Sequence, residues 1–178
     1  MKKNVANLLS IMNAVCGLLV IIILIIDSSN VLFASLLIIA GGIIDYCDGK
    51  VAVHLNITSV LGKQIDSFAD LITFGIAPII VIVSKFHNYF FHDRIPIIVL
   101  AILIIYVISV MIRLAKFNIC SERKYFIGLP STISGMIIAF VVFISLISII
   151  EVSVIELSVI VFILALLMNS NFKVKKIM

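Results

Sequence analysis

The chain has 178 residues, of which 63% are hydrophobic and 12% are charged, and it contains no tryptophan. A mean hydropathy of +1.36 lies far above the range of soluble domains and therefore excludes a water-soluble globular protein. The net charge of +4 comes without a basic stripe interleaved with aromatic residues, which argues against nucleic acid as a partner.

Six apolar segments follow one another along the chain, and each is long enough to cross ~30 Å of hydrocarbon at ~1.5 Å per residue. They cover residues 8–26, 31–53, 61–84, 95–117, 131–150 and 152–168. The sequence therefore predicts an all-α membrane protein, a single domain over residues 1–178 in which six transmembrane helices form a bundle.

The distribution of basic residues predicts the orientation of this bundle. If the amino terminus is cytoplasmic, eleven of the 13 Lys and Arg residues fall on the cytoplasmic side, and only Lys85 and Arg94 fall outside. Such a bias follows the positive-inside rule. We therefore expect a multi-pass protein of the cell membrane with both termini in the cytoplasm, whose basic residues contact anionic membrane lipids.

Four aspartates interrupt the second and third apolar segments. Asp45 and Asp48 are three residues apart and Asp66 and Asp70 are four apart, so each pair lies on one face of a helix. The two helices run in opposite directions, and their residue counts place both pairs about 20 Å from the outer membrane surface. The sequence therefore predicts a polar cavity that opens to the cytoplasm.

Carboxylates at this depth need a counter-charge, because an unpaired charge in hydrocarbon costs several kcal/mol and like charges repel. Their hard oxygen atoms favour Mg²⁺, Mn²⁺ or Ca²⁺ over zinc. Small residues accompany the acids at Gly49, Ala52 and Gly62, where a ligand or a neighbouring backbone can approach closely.

With these residues assembled, the segment resembles the signature of the CDP-alcohol phosphatidyltransferases, Asp-x2-Asp-Gly-x2-Ala-Arg-x8-Gly-x3-Asp-x3-Asp. Seven of the eight fixed positions match, namely Asp45, Asp48, Gly49, Ala52, Gly62, Asp66 and Asp70. The departure is Val53, where the family has arginine, and Lys50 and His54 are the two candidate replacements. The flanking segments 7–17, 74–78 and 113–130 most resemble the membrane-embedded, serine-accepting members, so the resemblance spans residues 5–135.

The resemblance implies a phosphotransfer from CDP-diacylglycerol to the hydroxyl of L-serine, with release of CMP. It implies two divalent cations, Mg²⁺ or Mn²⁺, held by Asp45, Asp48, Asp66 and Asp70, with Asp70 also the general base. It further implies that Gly49 and Ala52 make room for the cytidine and the pyrophosphate. Gly62 and Lys50 are further candidate substrate-binding residues. We also expect a homodimer.

The carboxylate of the acceptor needs a cation, and Arg113 and Lys116 are candidates because they lie three residues apart on one helix face near the predicted cavity. A transferase of the same family that uses glycerol 3-phosphate or inositol phosphate is an alternative, although a dianionic phosphate should demand more basic residues.

Two further hypotheses belong to other classes. A divalent-cation or proton-coupled transporter could use the four aspartates as its ion site, but residues 31–44 and 71–83, the outer halves of the two helices, carry no charge. The second hypothesis is an inactive relative that only binds the liponucleotide, and it is motivated by Val53 at the position of the family arginine.

Overall fold

The computed structural model describes residues 2–54, 60–91, 97–119, 125–147, 151–170 and 173–175. Within these residues the elements are α1 Lys2–Ile26, α2 Val31–His54, α3 Val60–Asp70, a π-helix Leu71–Ile76, α4 Ala77–Lys85, α5 His87–Phe91, α6 Ile97–Ile119, β1 Tyr125–Ile127, α7 Ser131–Leu146, α8 Val154–Asn169 and β2 Lys173–Lys175. The prediction of a helical bundle is confirmed.

The helices have the length and composition of membrane-embedded segments. Three stretches are long and apolar enough to cross a membrane, and they are Asn7–Ile26, Val60–Lys85 and Ile97–Ile119. Three shorter apolar helices cover Val31–Cys47, Ser131–Leu146 and Val154–Asn169. Large apolar side chains point outward, and Ile25 and Ile97 are 75% and 82% exposed. Such an exterior suits lipid rather than water. The number of spans and their orientation stay predictions.

Several boundaries differ from the predicted segments. α7 ends at Leu146, whereas the prediction ran to residue 150. The predicted loop between the two acidic helices, residues 54–61, lies largely outside the described residues. β1 and β2 fall where no strand is predicted, and they pair antiparallel with Phe126 opposite Val174. This pairing satisfies backbone groups of two segments that are distant in the sequence.

The π-helix lies at the centre of the bundle, and α1 and α7 approach its backbone through glycines. A Cβ added at Gly17 of α1 would lie 2.7 Å from the Cα atom of Thr73, and one added at Gly135 of α7 would lie 2.8 Å from the Cα atom of Phe74. Only glycine permits helices to pack this closely. The surrounding core contains buried side chains from α2, α6, α7 and α8 that include Ile38, Leu103, Ile138 and Leu157.

Two buried hydroxyl groups attach the π-helix to its neighbours. Thr73 Oγ1 donates to the backbone carbonyl of Asn13 on α1 at 2.8 Å, and Tyr106 Oη on α6 donates to the carbonyl of Phe74 at 2.8 Å. Pro78 has no N–H, so the α-helical hydrogen bond from residue 78 to the carbonyl of residue 74 cannot form. Tyr106 satisfies the carbonyl that the proline leaves free. Because Asp70 immediately precedes the π-helix, these contacts also hold Asp70.

Candidate functional site

Three of the four predicted acidic residues, one from α2 and two from α3, converge. Asp45, Asp66 and Asp70 each offer an oxygen atom, and these atoms lie within 4.8 Å of one another. The Asp70 side chain is only 8% exposed, whereas Asp45 and Asp66 are half-buried. The cluster therefore has one buried member and two members that reach the surface. Asp48 lies on α2, three residues after Asp45, but its side chain is outside the described part of the structure.

Two polar side chains that the sequence did not single out contact this acidic cluster. Asn13 on α1 is fully buried, and its Nδ2 donates to Asp70 Oδ1 at 3.4 Å. Thr132 on α7 donates through Oγ1 to Asp45 Oδ2 at 3.0 Å. Such donors orient a carboxylate. Two sequence signals point to Asn13: it is a polar residue that interrupts an apolar helix, and it lies in the flanking segment 7–17 of the family resemblance.

Arg113 of α6 provides a cation beside the cluster. Its Nη1 donates to Ser131 Oγ at 3.0 Å, and its charge interacts with those of Asp45 and Asp70. The Nε atom of Arg113 is buried and has no hydrogen-bond partner among the described residues. The structure therefore brings the predicted arginine to the acids and leaves one of its donors unused.

The acidic cluster fits a divalent cation. Three acidic side chains lie together, and Arg113 interacts with two of them, Asp45 and Asp70, so the cluster offers more acidic groups than this one guanidinium can pair with. All three candidate ligands are carboxylate oxygens, which is the donor type that Mg²⁺ and Mn²⁺ prefer. The donor set therefore matches the predicted cofactors, although it does not choose between them.

The other predicted binding residues lie on α2, α3 and α6, the helices that also carry the acids and Arg113. Gly49 faces open space, because a Cβ added there would meet no heavy atom within 4 Å. Lys50 is exposed, and its Nζ lies 4.4 Å from the centre of the Tyr46 ring. Gly62 is half-buried and Lys116 is exposed at the last turn of α6. The side chain of Ala52 lies outside the described residues. The roles of all five stay predictions.

The fold and the site together define a class: a helical, membrane-type protein with an acidic centre suited to divalent cations. Comparison with known proteins narrows that class, because the family model of CDP-alcohol phosphatidyltransferase matches residues 3–169. The chain therefore belongs to the CDP-alcohol phosphatidyltransferase family.

Individual relatives agree with this assignment. A Bacillus subtilis protein named CDP-diacylglycerol–serine O-phosphatidyltransferase is 39% identical over 130 residues, which are 72% of this chain and 70% of that protein. Proteins of the same name from Helicobacter pylori and Saccharomyces cerevisiae are 36% and 33% identical over 115 and 107 residues. The match to the Helicobacter protein covers 63% of this chain and 46% of that relative, and the match to the Saccharomyces protein covers 54% of this chain and 36% of that relative.

Proposed function

We propose that this chain is a phosphatidylserine synthase, which transfers the phosphatidyl group from CDP-diacylglycerol to the hydroxyl of L-serine and releases CMP. The observation that carries the proposal is the convergence of Asp45, Asp66 and Asp70 beside Arg113 in a chain of this family. The names of the three relatives support serine as the acceptor.

The proposed setting is a single domain over residues 1–178 with six membrane spans, both termini in the cytoplasm and a homodimeric assembly. In this orientation the acidic cluster opens toward the cytoplasm, where L-serine is available, and the acyl chains of the donor stay in the lipid. The excess of basic residues on that side supports the orientation.

Asp45, Asp48, Asp66 and Asp70 are the proposed ligands of two Mg²⁺ or Mn²⁺ ions, and Ca²⁺ fits the same oxygen donors. When bound, such ions neutralise pyrophosphate charge and lower the pKa of the attacking hydroxyl. The chain itself supplies positioning. Thr132 orients Asp45 and Asn13 orients Asp70 through the hydrogen bonds described above.

Asp70 is the proposed general base. It accepts the proton of the serine hydroxyl as the oxygen of that hydroxyl forms a bond to the phosphorus attached to diacylglycerol. The bond from that phosphorus to the bridging pyrophosphate oxygen breaks, and CMP leaves with the electron pair. Asp70 is buried and contacts Asn13 of α1, and this burial limits the access of water to the base.

The remaining contacts of the substrates fall on the predicted binding residues. The unused Nε donor of Arg113 supports binding of the serine carboxylate, with Lys116 as a second cation. The open space at Gly49 supports a position for the nucleotide there. Ala52 and Gly62 are proposed to make further room, and Lys50 to contact the pyrophosphate.

The proposal is tested with purified protein, CDP-diacylglycerol, labelled L-serine and Mn²⁺. Wild type should form labelled lipid and CMP, EDTA should abolish both, and added Mn²⁺ should restore them. Asp66→Asn and Asp70→Asn should fall to background. The exposed Glu151→Gln is the matched control and should keep wild-type turnover.

Parallel reactions with glycerol 3-phosphate and inositol phosphate test the acceptor. CMP release with either of these and none with serine would refute the serine assignment while keeping the family chemistry. Metal flux into proteoliposomes without any CMP release would support the transporter hypothesis instead.

A further inference from the structure

A lysine joins the first turn of α3 to the last turn of α6. Lys63 of α3 donates through Nζ to the backbone carbonyls of Phe117 at 3.1 Å and Asn118 at 3.0 Å, in the last turn of α6. The same ammonium lies 5.2 Å from the centre of the Phe117 ring. Carbonyls at the end of a helix lack internal partners and carry partial negative charge, so a cation there is favourable.

A second contact lies one turn further along α3. Asn118 Nδ2 donates to Ser67 Oγ at 2.9 Å, and Ser67 Oγ is 3.0 Å from the carbonyl oxygen of Lys63, to which it donates. The side chains of Lys63, Ser67 and Asn118, together with the backbone carbonyls that accept from them, thus form one connected set of hydrogen bonds between the two helices. We call Lys63, Ser67 and Asn118 the α3–α6 clasp.

The clasp lies one helical turn from both halves of the proposed active site. On α3, Asp66 and Asp70 follow Lys63 and Ser67 by three residues each, so all four share one helix face. On α6, Arg113 precedes by four residues Phe117, whose carbonyl accepts from Lys63, so one helical turn separates Arg113 from this contact. Any change in the distance between the helix ends is passed to the spacing between the acids and Arg113.

Lys63 is committed to this contact. A lysine one turn from an acidic cluster is an obvious ligand for a substrate phosphate, but its Nζ already donates to two carbonyls and faces an aromatic ring. Arg113 differs, because it retains an unused donor. Lys63 and Arg113 therefore have different tasks.

We propose that the α3–α6 clasp sets the spacing between the metal-binding half of the site on α3 and the acceptor-binding half on α6, and so determines the affinity for the acceptor alcohol. Lys63, Ser67 and Asn118 are positioning residues that touch neither the metals nor the reacting atoms. The inference rests on the proposed function and adds the residues that control acceptor binding.

The kinetic test uses Lys63→Met, which keeps the length of the side chain but removes its donors, and Lys63→Arg, which keeps donors. Lys63→Met should raise the KM for serine about tenfold, the typical effect of a lost charge-assisted hydrogen bond. The KM for CDP-diacylglycerol should change less than about twofold, and Lys63→Arg should recover most of the loss. Gln64→Ala, an exposed neighbour on α3, is the control and should match wild type.

A double-mutant cycle tests the second contact. If Ser67 and Asn118 act together, Ser67→Ala, Asn118→Ala and the double variant should raise the KM for serine by a similar factor. A selective rise in the KM for CDP-diacylglycerol in Lys63→Met would show that Lys63 binds the donor phosphate, and would overturn the proposal. Parallel losses for both substrates, or wild-type values for Lys63→Met, would also overturn it.

An assay without substrate separates this inference from the proposed function. Amide hydrogen exchange of residues 113–119 should be faster in Lys63→Met than in wild type, because the last turn of α6 loses its anchor. Unchanged exchange would refute the clasp even if serine turnover is normal. Absence of serine turnover in wild type would refute the proposed function. The exchange result would still show whether the clasp anchors the end of α6, and the kinetic test would then use the acceptor that wild type accepts.

Discussion

The close approach of α1 to the π-helix makes Gly17→Ala the sharpest probe of how the site is held. The new Cβ would lie 2.5 Å from Thr73 Oγ1, 2.7 Å from Thr73 Cα and 2.9 Å from Thr73 N. Two of these atoms belong to the backbone, so rotation of a side chain cannot relieve the overlap. Restoring an ordinary contact of 3.4 Å to the Cα atom requires the two helices to separate by roughly 0.7 Å.

That separation acts on the same segment that holds the acidic cluster. The hydrogen bond from Thr73 to the Asn13 carbonyl joins the π-helix to α1, and the contact from Asn13 to Asp70 joins α1 to the last residue of α3. Overpacking of this kind typically costs about 1–3 kcal/mol. The hydrogen bond from Asn13 to Asp70 is already long at 3.4 Å, so a further separation of the helices would break it. We therefore expect Gly17→Ala to lower the free energy of unfolding by about 2 kcal/mol and to weaken metal binding.

The assay combines thermal unfolding in detergent with titration of Mn²⁺ on the protein without substrate. Gly17→Ala should unfold several degrees lower than wild type and bind Mn²⁺ several-fold more weakly. Gly49→Ala is the control for stability, since its Cβ would meet nothing within 4 Å, and it should unfold at the wild-type temperature. A Gly17→Ala protein with wild-type unfolding and wild-type Mn²⁺ affinity would refute the packing argument.

Three further predictions concern polar contacts. Tyr106→Phe should cost about 1–2 kcal/mol in unfolding, because the carbonyl that the proline leaves free in the π-helix loses its donor; an unchanged unfolding temperature would contradict this. Thr132→Val should weaken Mn²⁺ binding about tenfold, whereas Thr132→Ser should not, as measured by Mn²⁺ titration. Asp27 lies in the connection between α1 and α2, and hydrogen bonds from Ser29 lower its pKa. The hydroxyl of Ser29 makes the larger contribution and its backbone N–H the smaller one. This stabilisation is present above the ordinary pKa of about 3.9 and is lost as the pH falls through the lowered pKa. The unfolding temperature of Asp27→Asn should therefore be lower than that of wild type at pH 7 and equal to it in strong acid.

The helical fold and the acidic centre could be predicted because both depend on local properties of the chain. Apolar segments of membrane length predict helices, and spacings of three and four residues place each pair of aspartates on one face. Opposite helix directions with equal residue counts then place the pairs at one depth. Neither step needs knowledge of which helices pack together.

The break in the third apolar segment could not be predicted as a π-helix. Pro78 indicates a missing hydrogen bond near residue 74, but the winding of residues 71–76 depends on what else can satisfy that carbonyl. The answer is Tyr106, which is 32 positions away in the chain. Burial of that hydroxyl against the carbonyl is a property of how α6 packs on the π-helix.

Sequence alone therefore determined the helices, the four aspartates and the family signature, since each is written in residues that are near one another in the chain. Only the tertiary structure decided which residues support them. Asn13 contacts Asp70, which is 57 positions away in the chain, and Thr132 contacts Asp45, which is 87 positions away. Lys63 donates to carbonyls at the end of α6. Hydrogen bonds over such separations exist only where packing brings two helix faces within about 3 Å, and no local pattern encodes that distance.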